Sequence, residues 1–396
     1  MIETAAYYFP NYHVDRENEK IHGPGWTEWD LVRHGTPRFE GHQQPKVPLW
    51  GEEDESDPAV MGKKAAVAAE HGIDTFVFDW YWYEGKPFLD RPLEKGFMPL
   101  EDHPVKFALM WANHDWGAMH PISYHQAKQG LGEVLFPARQ THEQWDAMTD
   151  YIVETYFKHP AYWKLDDCPY FSIYNAAALV ESFGTIDNIR HAMDLFRMKT
   201  EAAGFPGLHL NLVELFTPNI VFEESVNEWP EMAHGCCFDS VTAYSWAHYT
   251  HQLIPHFKEL RTTYDYAACG ERVRNLWEEQ QAKYDVPFFP HITMGWDSSC
   301  RTIQSDKWEN MGYGPFSFIW ENNTPEEFRR YLEMGKAYIE ASGQRLPLFI
   351  NAWNEWPESS YLEPDSINGY GYLEAIKAVC GLYTAPFPKT LILDNT

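Results

Sequence analysis

Two glutamates near the end of the chain have the residue type and spacing for acid–base chemistry. Glu355 and Glu358 lie three residues apart in the segment 351–358 (NAWNEWPE), where Trp353 and Trp356 flank them. Close like charges in an apolar setting push the pKa values of two carboxyl groups apart, which leaves one acid and one base. Hydrolysis of a glycosidic bond uses such a pair. We predict that both glutamates are catalytic; the alternative is a pair of surface or ion-paired carboxylates.

Aromatic and polar side chains recur after the other apolar runs of the chain. The sequence contains 17 Trp, 23 Tyr and 24 Phe among 396 residues, and many of these must fill the core. Tyrosine and tryptophan also offer a flat apolar face with a polar edge, which suits a sugar ring. Mixed with Asn, Asp and Glu, such faces suit a ligand that carries many hydroxyl groups. We predict that the substrate-binding side chains are Tyr8, Trp26, Glu28, Asp79, Trp80, Tyr81, Trp111, Asn113, Tyr174, Trp296, Asp297, Trp353, Asn354, Trp356 and Tyr361.

Eight short β-branched or aromatic runs have the character of buried parallel strands. They are residues 4–10, 73–80, 105–111, 169–174, 208–213, 238–244, 286–293 and 346–353. Helical patterns lie between them, at residues 57–71, 141–157, 185–203, 270–283, 324–342 and 371–379. Strands that alternate with helices predict an α/β fold with a parallel sheet, and eight of them predict a (β/α)8 TIM barrel. We expect one such catalytic domain over residues 1–396.

The predicted barrel places the candidate residues on one face. In such barrels the carboxyl ends of the strands and the loops that follow them form the active site. Both glutamates follow the eighth predicted strand, and the other candidates follow earlier strands or lie in the loop after the first. The segments 11–55 and 111–139 look irregular, so we expect them to be long loops on the same face, where long loops usually carry function.

The charge balance excludes some classes of partner. The sequence has 31 basic and 58 acidic residues, a net charge of −27. Nucleic-acid backbones and anionic membranes both require a basic surface, so we expect neither as a partner. Apolar runs long enough to span a bilayer are also absent from the sequence. A carbohydrate substrate fits this balance better.

Signatures of metal and nucleotide sites are absent from the sequence. The 18 histidines form neither H-E-x-x-H nor a tight His/Cys cluster, and phosphate-binding glycine loops and a G-x-S-x-G motif are missing. We therefore expect no metal and no other cofactor. The six cysteines form no paired C-x-x-C pattern, which favours free thiols in a reducing compartment. The amino terminus reads MIET and lacks the features of a signal peptide, so we expect a cytoplasmic protein.

Several motifs along the chain resemble one known group of proteins. They are residues 7–13 (YYFPNYH), 25–29 (GWTEW), 41–45 (GHQQP), 111–116 (WANHDW), 351–358 (NAWNEWPE), 361–365 (YLEPD) and 369–372 (GYGY). Their identity and order resemble the WbsX-like group, which is related to the endo-α-mannosidases of glycoside hydrolase family 99. The resemblance implies a (β/α)8 barrel that needs no metal cofactor.

The resemblance also implies roles for the two glutamates. In family 99 the first motif glutamate, matched here by Glu355, acts as a base on the sugar 2-hydroxyl, which attacks the anomeric carbon. The second, matched by Glu358, acts as an acid on the leaving oxygen and later as a base for water. Family 99 usually reads His-Glu-Gly where this chain has Pro357, Glu358 and Ser359.

Three functions compete on the sequence alone. The first is a retaining glycoside hydrolase that cleaves an oligo- or polysaccharide with two glutamates. The second is a glycosyltransferase of bacterial polysaccharide biosynthesis, which would need a site for the phosphates of its donor. The third is a carbohydrate-binding protein without catalysis, which would not need both Glu355 and Glu358.

Overall fold

Eight parallel strands form the centre of the protein. The computed structural model describes residues 2–117, 120–121, 134–215, 229–249, 263–304 and 318–381. The central strands are β1 (Thr4–Tyr8), β2 (Thr75–Tyr83), β3 (Lys106–Trp111), β4 (Cys168–Ile173), β5 (His209–Val213), β6 (Ser240–Thr242), β7 (His291–Thr293) and β8 (Leu348–Asn351). Each of the eight strands lies within a predicted run or shares most of its residues with one. The strand prediction is therefore confirmed.

The order of these strands in the sheet is that of a barrel. Neighbouring strands pair in the order β6-β5-β4-β3-β2-β1-β8-β7, and every pair on this path is parallel. A further parallel bridge between Val241 and Phe288 joins β6 to the segment just before β7. This bridge connects the two ends of the path, and the predicted (β/α)8 barrel is confirmed.

Helices follow the strands and surround the barrel. The α-helices are α1 (Arg16–His22), α2 (Trp29–Arg33), α3 (Pro58–Glu70), α4 (His142–Ile152), α5 (Ala176–Phe183), α6 (Ile186–Ala202), α7 (Trp229–Gly235), α8 (Tyr266–Lys283), α9 (Pro325–Ser342) and α10 (Gly371–Cys380). All six predicted helical segments are present. The largest shift is in α8, which begins four residues before the predicted start. Helix α4 is followed directly by a π-helical turn, Val153–Phe157.

Local sequence signals explain several helix boundaries. The Asp57 side chain accepts a hydrogen bond from the backbone of Ala59 at the start of α3, as its place before a proline suggests. Thr141 and Gln144 form a reciprocal capping box at the start of α4. Helix α9 ends at Gly343, whose φ of 66° is the left-handed conformation that glycine adopts most easily.

The strands are buried on both faces. All nine residues of β2 are buried. Phe76 and Phe78 pack against Phe97, outside the barrel, while Asp79 and Tyr81 face its interior. A parallel strand covered on both sides therefore reads as a continuous apolar run, and its alternation is hidden in the sequence.

The loop after β1 has more regular structure than the sequence predicts. The segment 11–55 contains the short helices α1 and α2, so the prediction of an irregular loop is wrong there. Asp15 caps α1 by accepting hydrogen bonds from two backbone amides, a local signal that the apolar pattern does not display. The loop after β3 contains an antiparallel pair, Trp116–Gly117 with Val134–Phe136, and residues 118–119 and 122–133 of that loop lie outside the described residues.

All six cysteines are unpaired, in agreement with the prediction of free thiols. In the described parts of the chain, no helix has both the length and the apolar character that crossing a membrane requires.

Candidate active site

One pocket opens at the carboxyl ends of the barrel strands. It brings together six residues of the predicted site: Glu28, Asp79, Tyr81, Tyr174, Glu355 and Glu358. The sequence prediction did not include the other lining residues, which are Phe9, Met110, Ala112, His114, Asp115, Trp116, Gly117, His120, Tyr244 and Arg301.

A tight turn after β8 brings the two motif glutamates together. Glu355 ends a two-residue strand, Asn354–Glu355, which pairs antiparallel with Ser360–Tyr361. Between these short strands lies a 3-10 turn, Trp356–Glu358, closed by Ser359 with a φ of 51°. The turn reverses the chain within five residues, and both carboxyl groups consequently point into one pocket.

Arg301 joins the two glutamates. Its Nη2 lies 3.1 Å from Glu355 Oε2, and its Nη1 lies 2.5 Å from Glu358 Oε1. The same guanidinium lies 3.3 Å from Glu28 Oε1 and 5.3 Å from the centre of the Phe9 ring. All three carboxylates and the arginine are almost fully buried. A planar guanidinium with several fixed donors suits this arrangement, since one cation can hold several carboxylates in defined directions.

Asp79 is linked to Glu355 through a tyrosine. The Tyr244 hydroxyl lies 2.9 Å from Asp79 Oδ2 and 3.2 Å from Glu355 Oε1. A phenol carries one proton, so it donates to only one of these oxygens at a time. The second carboxyl oxygen of Asp79 has no hydrogen-bond partner among the described residues. Burial raises the pKa of Asp79 well above its usual range, and the nearby Glu355 raises it further.

Burial shifts the pKa of two further carboxyl groups, those of Glu28 and Glu355, in the same direction. It raises the pKa of Glu28 to about 7, against the opposing effect of Arg301. It also raises the pKa of Glu355, while Arg301 and the hydrogen bond from Tyr244 oppose the rise. Three buried carboxyl groups therefore share one guanidinium, and a fourth, Asp79, is linked to Glu355 through Tyr244. Such a set favours a mixture of protonated and ionised carboxyls near neutral pH, which general acid–base chemistry requires.

Aromatic rings line one wall of the pocket. Tyr81 packs edge-on against Trp116, with ring centres 5.3 Å apart, and against His114. Tyr174 packs edge-on against Tyr244 at 5.7 Å. This wall offers apolar faces beside the polar floor of the pocket, an arrangement that suits a sugar ring.

Three predicted binding residues lie on the wrong side of their strands. Tyr8 points out of the barrel, where its hydroxyl lies 3.1 Å from Met61 Sδ in α3. Trp80 and Trp111 likewise pack among the surrounding helices. Because successive side chains of a strand point to opposite faces, the neighbours of these residues face the pocket instead. The prediction that these three residues contact substrate is corrected accordingly.

Four residues of the segment 353–361 lie behind the pocket and do not line it. The Asn354 side chain donates to Phe9 O and accepts from Phe9 N, both at 2.8 Å, and so ties the end of β1 to the turn. Trp356 stacks on Tyr361 with ring centres 3.7 Å apart. Trp353 is fully buried in the hydrophobic core. Bulky rings at these positions fill the space around the turn.

Asp297 also lies behind the pocket. Its Oδ2 is 2.9 Å from His42 Nε2 and accepts a hydrogen bond from Gln44 at 2.8 Å. Its backbone N–H donates to Glu358 O at 2.7 Å, and its Oδ1 accepts from the backbone of Ser299. The nearby His42, Gln44 and a lysine hold the pKa of Asp297 below its usual range. Asp297 thus joins the loop after β7 to the turn Trp356–Glu358.

The remaining three predicted binding residues also lie away from the pocket lining. Asn113 is buried and exchanges two hydrogen bonds of 2.7 Å with the backbone of Asn175, joining the ends of β3 and β4. Trp296 is buried next to Asp297 in the chain. Trp26 is only half-buried and stacks on His22, with ring centres 4.1 Å apart.

The described residues contain no group of three or more His, Cys, Asp or Glu side chains arranged to hold a metal ion. The pocket carboxylates are engaged with Arg301 and Tyr244 instead.

The model of a protein family described as glycosyltransferase WbsX matches residues 4–376. The chain belongs to the WbsX family. Two curated relatives, both called uncharacterized protein WxcX and both from Xanthomonas campestris pv. campestris, are 29% identical to this WbsX-family chain over 385 residues. The match covers 94% of the chain and 48% of each relative, so the chain spans about half the length of these proteins.

Solved structures share the fold of this WbsX-family chain at low sequence identity. The GH99 endo-alpha-mannosidase from Bacteroides thetaiotaomicron is 15% identical, with a TM-score of 0.53 over 96% of this chain and 97% of that one. A structure described as a glycoside hydrolase-like protein is 12% identical, with a TM-score of 0.58 over 96% of this chain and 94% of that one. The predicted resemblance to both groups is confirmed.

Proposed function

We propose that this WbsX-family chain is a carbohydrate-active enzyme, and specifically a glycoside hydrolase that acts on an oligo- or polysaccharide. The observation that carries the proposal is the pair of buried glutamates, Glu355 and Glu358, held by Arg301 in a pocket at the carboxyl ends of a (β/α)8 barrel. The aromatic wall beside them gives a sugar ring an apolar surface. The names of the structural neighbours above agree with this class of reaction.

The proposed reaction uses the two glutamates in sequence. Glu355 removes the proton of the sugar 2-hydroxyl, whose oxygen attacks the anomeric carbon, and Glu358 gives its proton to the leaving oxygen. Glu358 then takes a proton from water, which attacks the anomeric carbon and opens the new ring, while Glu355 returns its proton to the 2-oxygen. Two successive displacements retain the anomeric configuration. Proton NMR of the first sugar formed tests this step, and an inverted first product would exclude it.

The residues around the glutamates fit these roles. Glu355 accepts hydrogen bonds from Arg301 and Tyr244, both of which stabilise its ionised form as a base. Tyr81 and Tyr174 lie on the pocket wall, where they can contact the ring of the substrate. Phe9 and Trp116, which the sequence prediction did not include, belong to the same proposed binding surface.

The family description favours a second candidate function, a glycosyltransferase. A nucleotide-sugar donor carries a diphosphate, which proteins bind with cationic side chains, backbone N–H groups or a metal ion. Arg301 already holds Glu28, Glu355 and Glu358. With five carboxyl groups lining the pocket and a net charge of −27, the chain offers little to attract a diphosphate there.

The experiment that separates the two functions is a turnover assay on aryl glycosides and defined glycans, with and without nucleotide-sugar donors. The proposal expects release of free sugar from at least one glycoside in the absence of any donor. Sugar transfer that occurs only with a donor would replace the proposal with the glycosyltransferase. Binding of a glycan without turnover under either condition would instead favour a carbohydrate-binding protein.

A further inference from the structure

A lysine lies fully buried behind the segment 354–361, which carries Glu355 and Glu358 and is called the catalytic turn below. Lys64 belongs to α3, and its side chain is 1% exposed. Its Nζ lies 2.6 Å from Glu55 Oε1 and 2.6 Å from Glu363 Oε1, and both carboxylates are buried as well. Lysine is rarely buried unless it is paired, and a buried carboxylate needs a compensating cation in the same way. The three groups therefore depend on one another.

The first of these carboxylates holds the residue before Glu355. Glu55 Oε1 accepts a hydrogen bond of 2.9 Å from Asn354 Nδ2. The same amide group pairs with the backbone of Phe9, at the end of β1, through two bonds of 2.8 Å. Glu55 thus fixes the orientation of the amide that connects the catalytic turn to the barrel.

The second carboxylate holds the residue after Glu355. Glu363 Oε2 accepts a hydrogen bond of 2.6 Å from Trp356 Nε1. The indole of Trp356 also stacks on Tyr361, which pairs with Asn354 across the short antiparallel strands. Both residues that flank Glu355 are therefore held by carboxylates that share one lysine.

We propose that Lys64 is a positioning residue for the Glu355 carboxylate, because it fixes the two residues that flank Glu355 in the chain. Without the lysine, Glu55 and Glu363 become two unpaired buried carboxylates that repel each other, and they release Asn354 and Trp356. Glu355 then loses its alignment with Arg301 and Tyr244. A displacement of about 1 Å at a catalytic group costs on the order of 100-fold in rate. The expected loss of catalytic rate rests on the proposed hydrolase function.

The test compares Lys64→Met with the wild type on a glycoside that the wild type cleaves. We expect kcat to fall by at least about tenfold while KM changes less than about threefold, since alignment of a base acts on the chemical step more than on binding. Lys64→Arg keeps the charge and is expected to recover part of the lost kcat.

Two controls separate positioning from general damage. Lys63→Met removes the preceding lysine of the same helix, which is only half-buried and pairs with Glu53, and it is expected to leave kcat unchanged. Ile189→Ala truncates a fully buried side chain of α6 and lowers the melting temperature without touching the turn. If Lys64→Met does not fold, Glu363→Gln is used in its place, because it removes the charge while its amide oxygen still accepts from Trp356.

The kcat of Lys64→Met and of Ile189→Ala is measured at the same number of degrees below the melting temperature of each variant. If Lys64→Met loses no more kcat than Ile189→Ala does, the inference is overturned. If the wild type cleaves no glycoside, the proposed function fails, and a crystal structure of the variant decides the inference alone. We expect the contact of 3.1 Å between Glu355 Oε2 and Arg301 Nη2 to be lost in that structure. An unchanged contact would contradict the positioning role.

Discussion

Arg301 is the one guanidinium or ammonium group among the described residues that line the pocket, and it touches three carboxylates. Truncating one partner of a buried ion pair leaves the other charge uncompensated. The protonation of Glu28 and Glu355 therefore depends on this residue, and its loss is expected to change how activity depends on pH.

The first prediction concerns Arg301→Met. Burial raises the pKa of Glu355 and Arg301 opposes that rise, so removing the cation raises the pKa of Glu355 further. A base with a higher pKa is ionised only at higher pH, so the acidic limb of the profile of kcat/KM against pH is expected to move to higher pH. Arg301→Lys keeps one charge and is expected to move it less. If the acidic limb of both variants stays at the pH found for the wild type, this account of Glu355 is contradicted.

The second prediction concerns Glu358→Gln. An acid assists a poor leaving group far more than an activated one, and general acid catalysis contributes about 10²–10⁴-fold in rate. We therefore expect a large loss of kcat/KM on natural glycans and a much smaller loss on aryl glycosides with acidic leaving groups. The measurement is a series of aryl glycosides of graded leaving-group pKa. An equal loss across the series would remove Glu358 from the role of acid.

At the scale of elements, the site depends on which side of each strand faces the barrel interior. In β1 and the residue after it, Phe9 lines the pocket while Tyr8 packs against α3. The third prediction is that Phe9→Ala raises KM by about tenfold or more, since a buried aromatic contact is worth roughly 1.5–3 kcal/mol. Tyr8→Phe loses a hydroxyl that contacts Met61 and Glu55 outside the pocket, and it is expected to leave KM unchanged. The same KM for both variants would contradict the assignment of Phe9 to the pocket.

Sequence patterns predict the strands of this fold but not their orientation. Each of the eight strands lies in or overlaps a short β-branched or aromatic run, which marks its position along the chain to within a few residues. Such a run does not show which residues point inward, because both faces of β2 and β3 are buried. The sequence therefore predicts substrate contact for three residues that lie one position away from residues of the pocket lining: Tyr8, Trp80 and Trp111.

Part of the site can be predicted from the sequence, and part of it is found only in the three-dimensional structure. Glu355 and Glu358 stand in one short motif, where their type, spacing and place after a strand all indicate chemistry. Arg301 stands alone in the loop after β7, and its partners Glu28 and Glu358 are 273 and 57 residues away in the chain. Only the closure of the barrel brings these groups together. Tyr244 is the last residue of the sixth predicted strand, so its position is a usable signal for the site.

At the scale of the whole molecule, the chain corresponds to about half of its curated relatives. The pocket is formed by residues from Phe9 to Glu358, which the matched region 4–376 includes. All of the residues that line the pocket therefore lie in the region that the family model matches.

The fourth prediction is that turnover survives treatment with a chelator. It rests on the buried pocket carboxylates being paired with Arg301 and Tyr244, and on a proposed chemistry in which each glutamate exchanges protons with the sugar or with water. The measurement is kcat/KM before and after dialysis against a chelator. A loss of turnover that a divalent ion restores would contradict the prediction.

The claim at the centre of this account is that Glu355 performs the first bond-making step of glycoside cleavage. The most direct test is the turnover of Glu355→Gln on a glycoside that the wild type cleaves without a nucleotide-sugar donor. Because the base is needed whatever the leaving group, we expect kcat to fall by about 10²–10⁴-fold on natural and activated substrates alike, with the melting temperature close to that of the wild type. Unimpaired turnover by a folded Glu355→Gln variant would contradict the account.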